Sequence, residues 1–366
     1  MTGSYRVLAL GGDHIGPEVV AAGLELLRHC ASRAGIGLEI EEDLLGGASW
    51  DVHESFCTDA VLAKARAADA ILVGAVGGPE WDNIRIDGPV TETDGLTRLR
   101  VELEVYNALR PVRYWPALAD HVPFKAAVVE GADILVIREN CGGIYYGEPR
   151  GWEDLPDGGQ RAFELSEYRT HEVERIARAA FEAAKRRRGR VASLDKSNVM
   201  ESGKLWRETV TRIGRDEYPE VALDHLLMDH ALFVVTQAPN KFDVLLADNL
   251  FGDLISDMVG AVAGSLGMLG SATIGASGCI GEKVKAGIYE PTHGSAPDIS
   301  GHGIANPMGT FLSVGMMFTY AFALPEVERD IEAAVGRVLE RGIRTPDISG
   351  TATTAEVTEA VIEALG

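Results

Sequence analysis

Short apolar runs alternate with amphipathic segments along this chain, and no other feature limits its fold as strongly. The runs are only four or five residues long, at 6–10, 70–74, 126–129, 134–137, 191–194 and 243–247. Segments with the apolar spacing of helices lie between and after them, at 17–34, 172–185, 309–323, 325–341 and 353–365. Continuous apolar strands between amphipathic helices are typical of a sheet covered on both faces. The pattern predicts an α/β protein.

The length of 366 residues exceeds what one hydrophobic core usually supports, so two domains are expected. Hydrophobic residues make up 46% of the chain and charged residues 24%, as in globular proteins. No window is long enough to span a membrane, and the apolar stretch at 7–10 is too short for a signal peptide. The cysteines, Cys30, Cys57, Cys141 and Cys279, lack the CxxC spacing of zinc or disulfide frameworks. The cytoplasm is the expected compartment.

The net charge of −21 predicts that the chain binds neither nucleic acid nor an anionic membrane, because its field repels polyanions. The basic run KRRRGR at 185–190 is the one local exception. Because it follows the amphipathic segment 172–185 and precedes a strand, we interpret it as the basic end of a helix, which complements the helix dipole. A binding patch is the less favoured alternative.

Three aspartates indicate a metal site. In the segment ADNLFGDLISD, Asp253 and Asp257 are four residues apart, a spacing that places both carboxylates on one face of a helix. Asp229 ends another apolar run, at 221–228. Oxygen ligands of this kind suit Mg²⁺ or Mn²⁺ rather than zinc. The alternative has about equal weight: Asp253 caps its helix and Asp257 is solvated.

Arginines gather in a second cluster, at positions 98, 100, 110 and 113, and Arg138 ends the run at 134–137. Arginine presents a planar fork that binds carboxylates through two hydrogen bonds. Arg110 precedes Pro111, which predicts that it lies where a helix ends. Taken singly, each arginine is more simply explained by a surface salt bridge. Together with the aspartates, Arg100, Arg110 and Arg138 indicate a site for a dicarboxylate bridged to a metal.

Two further residues offer proton chemistry. Lys196 follows the strand predicted at 191–194, and a lysine in a cation-rich, partly desolvated site has a lowered pKa and can act as a base. Tyr145, within GGIYYGEP, carries a phenol that can donate a proton. Either side chain can equally be structural, since a tyrosine beside glycines most often serves packing.

The glycine-rich segment 290–307, EPTHGSAPDISGHGIANP, is too polar to be a core element and predicts a loop that approaches a ligand closely. Asp298 within it is placed to accept hydrogen bonds from a ribose diol and to repel a 2′-phosphate. The glycine turns at 11–16 and 74–79 lack the GxGxxG spacing. An ordinary Rossmann site is therefore not expected.

Combined, these motifs resemble the β-decarboxylating dehydrogenases, the family of 3-isopropylmalate, isocitrate, homoisocitrate and tartrate/D-malate dehydrogenases. The motifs that carry the resemblance are GDHIGPEV, GGPEWDN, LRVELEVYNALRP, RENCGGIYYGEPRG, DKSNVME, NLFGDLISD, GSLG and EPTHGSAPDISGHGIANP. The resemblance implies a two-domain α/β/α fold that is not a Rossmann fold, with the active site in the cleft. Residues 1–106 plus 264–366 would form the cofactor-binding domain. Residues 107–263 would form the dimerisation and metal-site domain, with an arm around 139–164.

The resemblance also implies a role for each residue of the clusters. Arg100, Arg110 and Arg138 would bind the substrate carboxylates, and Tyr145 would be the general acid. Asp253 and Asp257 would hold Mg²⁺ or Mn²⁺. The general base Lys196 and the third metal ligand Asp229 would come from the neighbouring subunit of a homodimer with shared active sites. The residues lining an NAD site would be His293, Gly294, Asp298, Ile299 and Asn306, with Asp347 beside them.

The implied reaction is oxidative decarboxylation of a 3-substituted malate with NAD, and the match is closest to the 3-isopropylmalate enzymes of leucine biosynthesis. Leu96 and Val199 would keep an apolar lining for the C3 substituent. Those enzymes commonly have a glutamate and a pair of leucines ahead of the first substrate arginine; in the stretch 93–97 of this chain the glutamate is missing, and Thr97 departs from the leucine pair. Tartrate or D-malate is the second expectation, and homoisocitrate or isocitrate follows. A non-catalytic regulatory homologue is the alternative of a different class.

Overall fold

The computed structural model describes residues 4–366 except 87, 277, 279–283 and 285, so Cys279 lies outside the described residues. The strands are β1 Ser4–Gly12, β2 Gly37–Asp43, β3 Ala70–Ala75, β4 Asn107–Arg113, β5 Asp133–Glu139, β6 Gly151–Asp154, β7 Gln160–Phe163, β8 Arg190–Asp195, β9 Ala222–Leu227, β10 Val244–Ala247, β11 Gly270–Ile274 and β12 Gly287–Pro291. The α/β alternation read from the apolar runs is therefore present.

The α-helices are α1 Gly16–Ala34, α2 Gly47–His53, α3 Asp59–Ala67, α4 Val90–Thr93, α5 Gly95–Glu102, α6 Ala126–Val129, α7 Thr170–Lys185, α8 Glu201–Glu217, α9 Met228–Gln237, α10 Asn249–Gly260, α11 Met308–Tyr320, α12 Pro325–Glu340 and α13 Thr354–Leu365. Short 3₁₀ turns join several of them, including Gly143–Tyr145 and Pro297–Ile299. In the described part of the chain, no helix has both the length and the apolar character that a membrane span requires.

Ten strands form one mixed sheet in the order β2-β1-β3-β12-β11-β4-β5-β10-β8-β9. Strands β2, β1, β3 and β12 run parallel, as do β5, β10, β8 and β9. The antiparallel pair β11 and β4 joins these two blocks. One block comes from the two ends of the chain and the other from its middle. The expected division at 106/107 and 263/264 remains a prediction.

Two local expectations were wrong. Residues 126–129 form a single helical turn, α6, rather than a strand. Four apolar residues do not by themselves distinguish a strand from a turn of helix. Arg110 lies within β4, paired with Val136 of β5, whereas helix α5 already ends at Glu102. Pro111 is thus part of a strand, and Arg110 reaches its partners from a strand of the sheet rather than from the end of a helix.

The remaining pair of strands, β6 and β7, forms an antiparallel hairpin outside the main sheet. Most of its residues are exposed, including Trp152 with 64% of its surface accessible. It lies within the segment 139–164 that was expected to form an arm. The largest apolar cluster runs under both blocks of the main sheet, from Val7 in β1 to Leu365 in α13.

Candidate active site

A pocket of about 570 Å³ opens where the two blocks of the sheet meet. Its polar lining includes Arg100, Arg110, Arg138, Tyr145 and Asp253, five of the residues singled out from the sequence. Ligands of α/β sheets bind at the carboxyl ends of the strands, and Arg138 lies near the end of β5 while Asp253 lies in α10, which follows β10. The fold thus brings residues from three separate sequence clusters into one cavity.

Arg138 and Asp253 are the central pair of this pocket. Arg138 is 3% exposed, and its Nη1 donates to Asp253 Oδ1, while Nε and Nη2 donate to Asn249 Oδ1 at 3.1 and 2.7 Å. Gly252 permits this approach, because a Cβ atom there would lie 2.5 Å from Cγ of Arg138. The start of α10 therefore lies directly against the side chain of Arg138.

Arg110 links the two aspartates of α10. Its Nη1 lies 3.3 Å from Asp253 Oδ1 and 3.8 Å from Asp257 Oδ1, and it donates to Ser256 Oγ at 2.6 Å. Both carboxylates accordingly face the same guanidinium, as the spacing of four residues predicts. Asp248, not Asp253, caps the helix, with its side chain accepting from the backbone N–H of Phe251. The capping alternative for Asp253 was wrong.

The two carboxylates differ in protonation behaviour. Burial would raise the pKa of Asp253, but the charges of Arg138 and Arg110 outweigh it and hold the pKa below the usual value. Burial and then the neighbouring Asp253 raise the pKa of Asp257, although Arg110 opposes them. Two neighbouring carboxylates, one stabilised as the anion by arginines and the other partly desolvated, are oxygen ligands of the kind that a hard divalent cation binds.

Tyr145 lies in the 3₁₀ turn Gly143–Tyr145, which begins with Gly143 at φ +77°. Its phenol donates to Asp253 Oδ2 at 3.2 Å. Burial, followed by the negative charge of Asp253, raises the pKa of Tyr145 above its usual value. The phenol therefore holds its proton at neutral pH and can act as a donor.

Arg100 reaches the pocket from α5. Its Nη2 lies 2.7 Å from Glu290 Oε1, and both side chains are nearly buried. Glu290 was predicted to begin the glycine-rich loop 290–307, but it lies buried in β12, which brings it to α5 across 190 residues. Arg150 and Glu164 also line the pocket and were missed.

Two arginines of the sequence cluster lie elsewhere. Arg98 is held by the carbonyl oxygen of Cys57 and by the carboxylate of Asp59. Arg113 pairs with Glu332 at 3.1 Å. Neither guanidinium lines the pocket, so neither adds a cation to it.

The structure does not bring Leu96 or Val199 to the pocket of a single chain. Leu96 is 8% exposed and packs in the apolar cluster that contains Leu8 and Leu99. Val199 is 70% exposed on the surface. The apolar part of the pocket lining is instead formed by Val90, Thr97, Ile144 and Leu250.

Lys196 and Asp229 lie together outside this pocket. Lys196 follows β8 and Asp229 is in the first turn of α9, and their Nζ and Oδ1 atoms are 2.5 Å apart. Asp229 is 69% exposed. Within one chain, the described residues contain no group of three acidic, histidine or cysteine side chains placed to hold a metal. Asp229 therefore does not join Asp253 and Asp257 in the isolated chain.

The glycine-rich loop packs beside the turn between β1 and α1. Ser295 accepts a hydrogen bond of 3.0 Å from the backbone N–H of Ile15, and Ile299 packs with Ile15. Nε2 of His293 is buried without a hydrogen-bond partner among the described residues, and burial lowers the pKa of this imidazole. This ring nitrogen is therefore available to form a hydrogen bond with a ligand.

The remaining predicted cofactor residues belong to the same loop. A Cβ atom on Gly294 would meet open space, which leaves room for a ligand against the backbone. Asp298 is exposed in the 3₁₀ turn Pro297–Ile299. Asn306 is 6% exposed and donates to Asp347 Oδ2 at 3.0 Å. The donors and the acceptor suit an adenosine with a free ribose diol.

Known proteins similar to this chain match it over nearly their whole length. A protein-family model described as isocitrate/isopropylmalate dehydrogenase matches residues 6–361. The chain is 44% identical over 362 residues to the 3-isopropylmalate dehydrogenase of Xanthomonas euvesicatoria pv. vesicatoria (strain 85-10), with 99% of both chains covered. It is 45% identical to that of Nitrobacter winogradskyi, covering 99% of this chain and 97% of the relative.

Solved structures agree with the sequence relatives. The crystal structure of isocitrate dehydrogenase from Methylococcus capsulatus superposes with a TM-score of 0.84 at 28% identity, covering 99% of both chains. A β-decarboxylating dehydrogenase from Thermococcus kodakarensis, in its apo form, gives a TM-score of 0.74 at 30% identity, over 99% of this chain and 96% of the other. The expected fold class is confirmed.

Proposed function

The chain belongs to the isocitrate/isopropylmalate dehydrogenase family of decarboxylating dehydrogenases, and we propose that it oxidises and decarboxylates 3-isopropylmalate with NAD and a divalent metal. The main support for this proposal is the pocket itself. Three arginines, the carboxylate of Asp253 and the phenol of Tyr145 line it together with apolar side chains. The product would be 2-oxoisocaproate, a step of leucine biosynthesis. The intact set of Tyr145, Lys196 and the three aspartates argues against a non-catalytic homologue.

Binding follows from charge. Arg100, Arg110 and Arg138 supply three guanidinium groups at one cavity, where Glu290, Asp253 and Asp257 are their carboxylate partners. A malate carries two carboxylates, each of which a guanidinium can hold through two parallel hydrogen bonds. Such pairing fixes the substrate in one orientation, which is the chief requirement for selective attack at C2.

Asp253 and Asp257 would hold Mg²⁺ or Mn²⁺. Both carboxylates lie within 4 Å of the same atom, Arg110 Nη1, so they already face one positive charge together. A bound divalent cation would act as a Lewis acid toward the substrate oxygens. Asp229 would complete the ligand set from a second subunit.

Proton movements would be carried by Lys196 and Tyr145. The amine of Lys196 would take the proton of the 2-hydroxyl, directly or through water, as hydride leaves C2 for NAD. After CO₂ departs from C3, the phenol of Tyr145 would deliver a proton to that carbon. The raised pKa of Tyr145 keeps this proton in place until it is needed.

A homodimer with shared sites is supported by the surface around Lys196. Val199, Phe233 and Leu254 are exposed large apolar side chains, at 70%, 64% and 52%. Phe233 and Leu254 belong to α9 and α10, the helices that also carry Asp229 and Asp257. The pocket of one chain lacks Lys196 and Asp229 of the expected active site. Exposed apolar side chains on the neighbouring helices favour docking of a second copy there. The β6–β7 hairpin is the proposed arm of this dimer.

The substrate is inferred from the apolar wall. Thr97 Oγ1 donates to the carbonyl oxygens of Asp94 and Val90, at 2.8 and 3.3 Å, so its hydroxyl is already satisfied. With Ile144 and Leu250 it forms an apolar lining suited to a branched alkyl group. Arg98 is turned away, so its guanidinium is not available to a third carboxylate.

A substrate panel tests the proposal. Initial rates of NADH formation with Mg²⁺ are measured for 3-isopropylmalate, D-malate, tartrate, isocitrate and homoisocitrate. We expect the highest kcat/KM for 3-isopropylmalate. A higher value for tartrate or D-malate would assign the enzyme to that branch of the family instead, and no oxidation of any of the five would contradict the proposal.

A further inference from the structure

Arg150 lies at the base of the β6–β7 hairpin, one residue before β6. Its Nη1 donates a hydrogen bond of 2.7 Å to the backbone carbonyl oxygen of Tyr145. The same side chain lines the substrate pocket and a neighbouring cavity that contains Arg85 and Trp152. Among the described residues, no carboxylate forms an ion pair with Arg150. Its guanidinium is therefore directed to the Tyr145 turn rather than to a counter-ion.

The turn that carries Tyr145 has few restraints of its own. It is a single 3₁₀ turn, a geometry with weaker hydrogen bonds than an α-helix. Its two internal backbone hydrogen bonds, from Tyr146 and Gly147, both end on the carbonyl of Gly143, at 3.1 and 3.0 Å, and the N–H of Gly143 donates outward to the carbonyl of Glu167 at 3.1 Å. The carbonyl of Tyr145 is left to Arg150, which fixes the end of the turn from outside.

Tyr145 makes two hydrogen bonds, and its ring lies 5.8 Å from Cζ of Arg138; of the two hydrogen bonds, only the one from Arg150 persists through the reaction. Its phenol donates to Asp253 at 3.2 Å, but a phenol that gives its proton to a substrate carbon must exchange this contact for one to the carbon. The Arg150 contact involves only the backbone of Tyr145 and takes no part in proton transfer. It remains to orient the residue during the step.

We infer that Arg150 is a positioning residue that fixes the Tyr145 turn while the phenol is engaged in proton transfer. The inference rests on the proposed function of Tyr145 as general acid. Displacement of a catalytic group by about 1 Å can cost on the order of 10²-fold in rate. Loss of Arg150 should therefore slow the proton step more than it weakens substrate binding.

The test isolates that step from hydride transfer. Enzyme, Mg²⁺, NADH and 2-oxoisocaproate are mixed in D₂O free of CO₂, and the replacement of C3–H by C3–D is followed by proton NMR. The exchange breaks one C–H bond and forms one C–D bond, so it needs no oxidant or reductant. The variants are Arg150→Met and Arg150→Lys, with Arg161→Met as the control, because Arg161 lies on the same hairpin and pairs with the exposed Glu153.

We expect Arg150→Met to slow exchange at least about tenfold while KM for 3-isopropylmalate changes less than about threefold, and Arg150→Lys to recover part of the rate. Exchange in Arg150→Met equal to that of Arg161→Met would overturn the inference, as would a loss confined to KM. Arg150→Gln serves the same comparison if circular dichroism shows that the methionine variant is unfolded. A wild type that neither exchanges nor oxidises would instead overturn the proposed function, and this inference with it.

Discussion

The Lys196 ammonium group lies 2.5 Å from the Asp229 carboxylate of the same chain, and neither side chain lines the pocket that contains Tyr145. One chain therefore presents a proton donor at one surface and a lysine–aspartate pair at another. If two chains complete each other's sites, the two groups meet only across a subunit interface.

Mixing two inactive variants tests this arrangement. Lys196→Met and Tyr145→Phe each remove one proton-transfer group, so each homodimer should be inactive. When equal amounts are refolded or exchanged together, a hybrid dimer contains one intact site, and activity should return to about a quarter of wild type. Steady-state NADH formation measures the recovery. No recovery, with hybrids demonstrated by mass spectrometry, would place both groups in a site within one chain.

Removing the charge of Asp253 should abolish stabilisation by metal. In the wild type, millimolar Mg²⁺ should raise Tm by a few degrees, since a ligand bound only to the folded state adds about 2–3 kcal/mol at a hundredfold excess over Kd. Asp253→Asn should lose this response and be less stable without metal, because Arg138 and Arg110 lose their shared counter-ion. Asp120→Asn, at a side chain 74% exposed, should respond like the wild type in differential scanning fluorimetry.

Cofactor preference should depend on Asp298. The exposed carboxylate would accept the ribose diol of NAD and repel the 2′-phosphate of NADP, so kcat/KM should favour NAD at least about tenfold. Asp298→Lys should narrow or reverse that ratio. Glu359→Lys makes the same change in net charge on the exposed face of α13 and should leave the ratio unaltered. Comparable wild-type efficiency with NADP would contradict the assignment.

The hydroxyl of Thr97 should be dispensable for substrate choice. Because Oγ1 donates to the backbone carbonyls of Asp94 and Val90, Thr97→Val should keep kcat/KM for 3-isopropylmalate within about twofold while costing about 1 kcal/mol of stability. Thr97→Asn, which places a polar group toward the pocket, is the comparison and should lower kcat/KM. A large loss in the valine variant would show that the hydroxyl contacts substrate.

Stability should fall as pH rises toward neutrality because of Glu328. Burial raises the pKa of Glu328 from 4.5 to about 7, although Thr319 donates to its carboxylate. Between these two values the folded state binds more protons than the unfolded state, so the free energy of unfolding decreases as pH increases. Glu328→Gln should therefore be more stable than wild type at pH 8, by up to about 3 kcal/mol, and equal to it near pH 4. Chemical denaturation measures this, with exposed Glu363→Gln as control; a pH-independent difference would contradict it.

Local sequence patterns predicted the elements that local forces decide. The helix at 17–34, the central strands and the shared face of Asp253 and Asp257 all appear in the structure. Each depends on the spacing of side chains along one element, which acts over a few residues. The run 126–129 is too short to show whether its apolar residues repeat as in a strand or as in a helix, and its prediction as a strand was wrong.

The tertiary structure alone decided which of these residues form one site. Arg110 and Asp253 are separated by 143 residues, and Arg100 and Glu290 by 190, so no local pattern relates them. Sheet order brings β4, β5 and β12 beside α5 and α10, because burying the apolar strands requires that packing. The sequence by itself determined the chemical types available: guanidinium groups, carboxylates, a phenol and an amine. The packing determined that the guanidinium groups, Asp253 and the phenol share a pocket while the amine of Lys196 lies outside it.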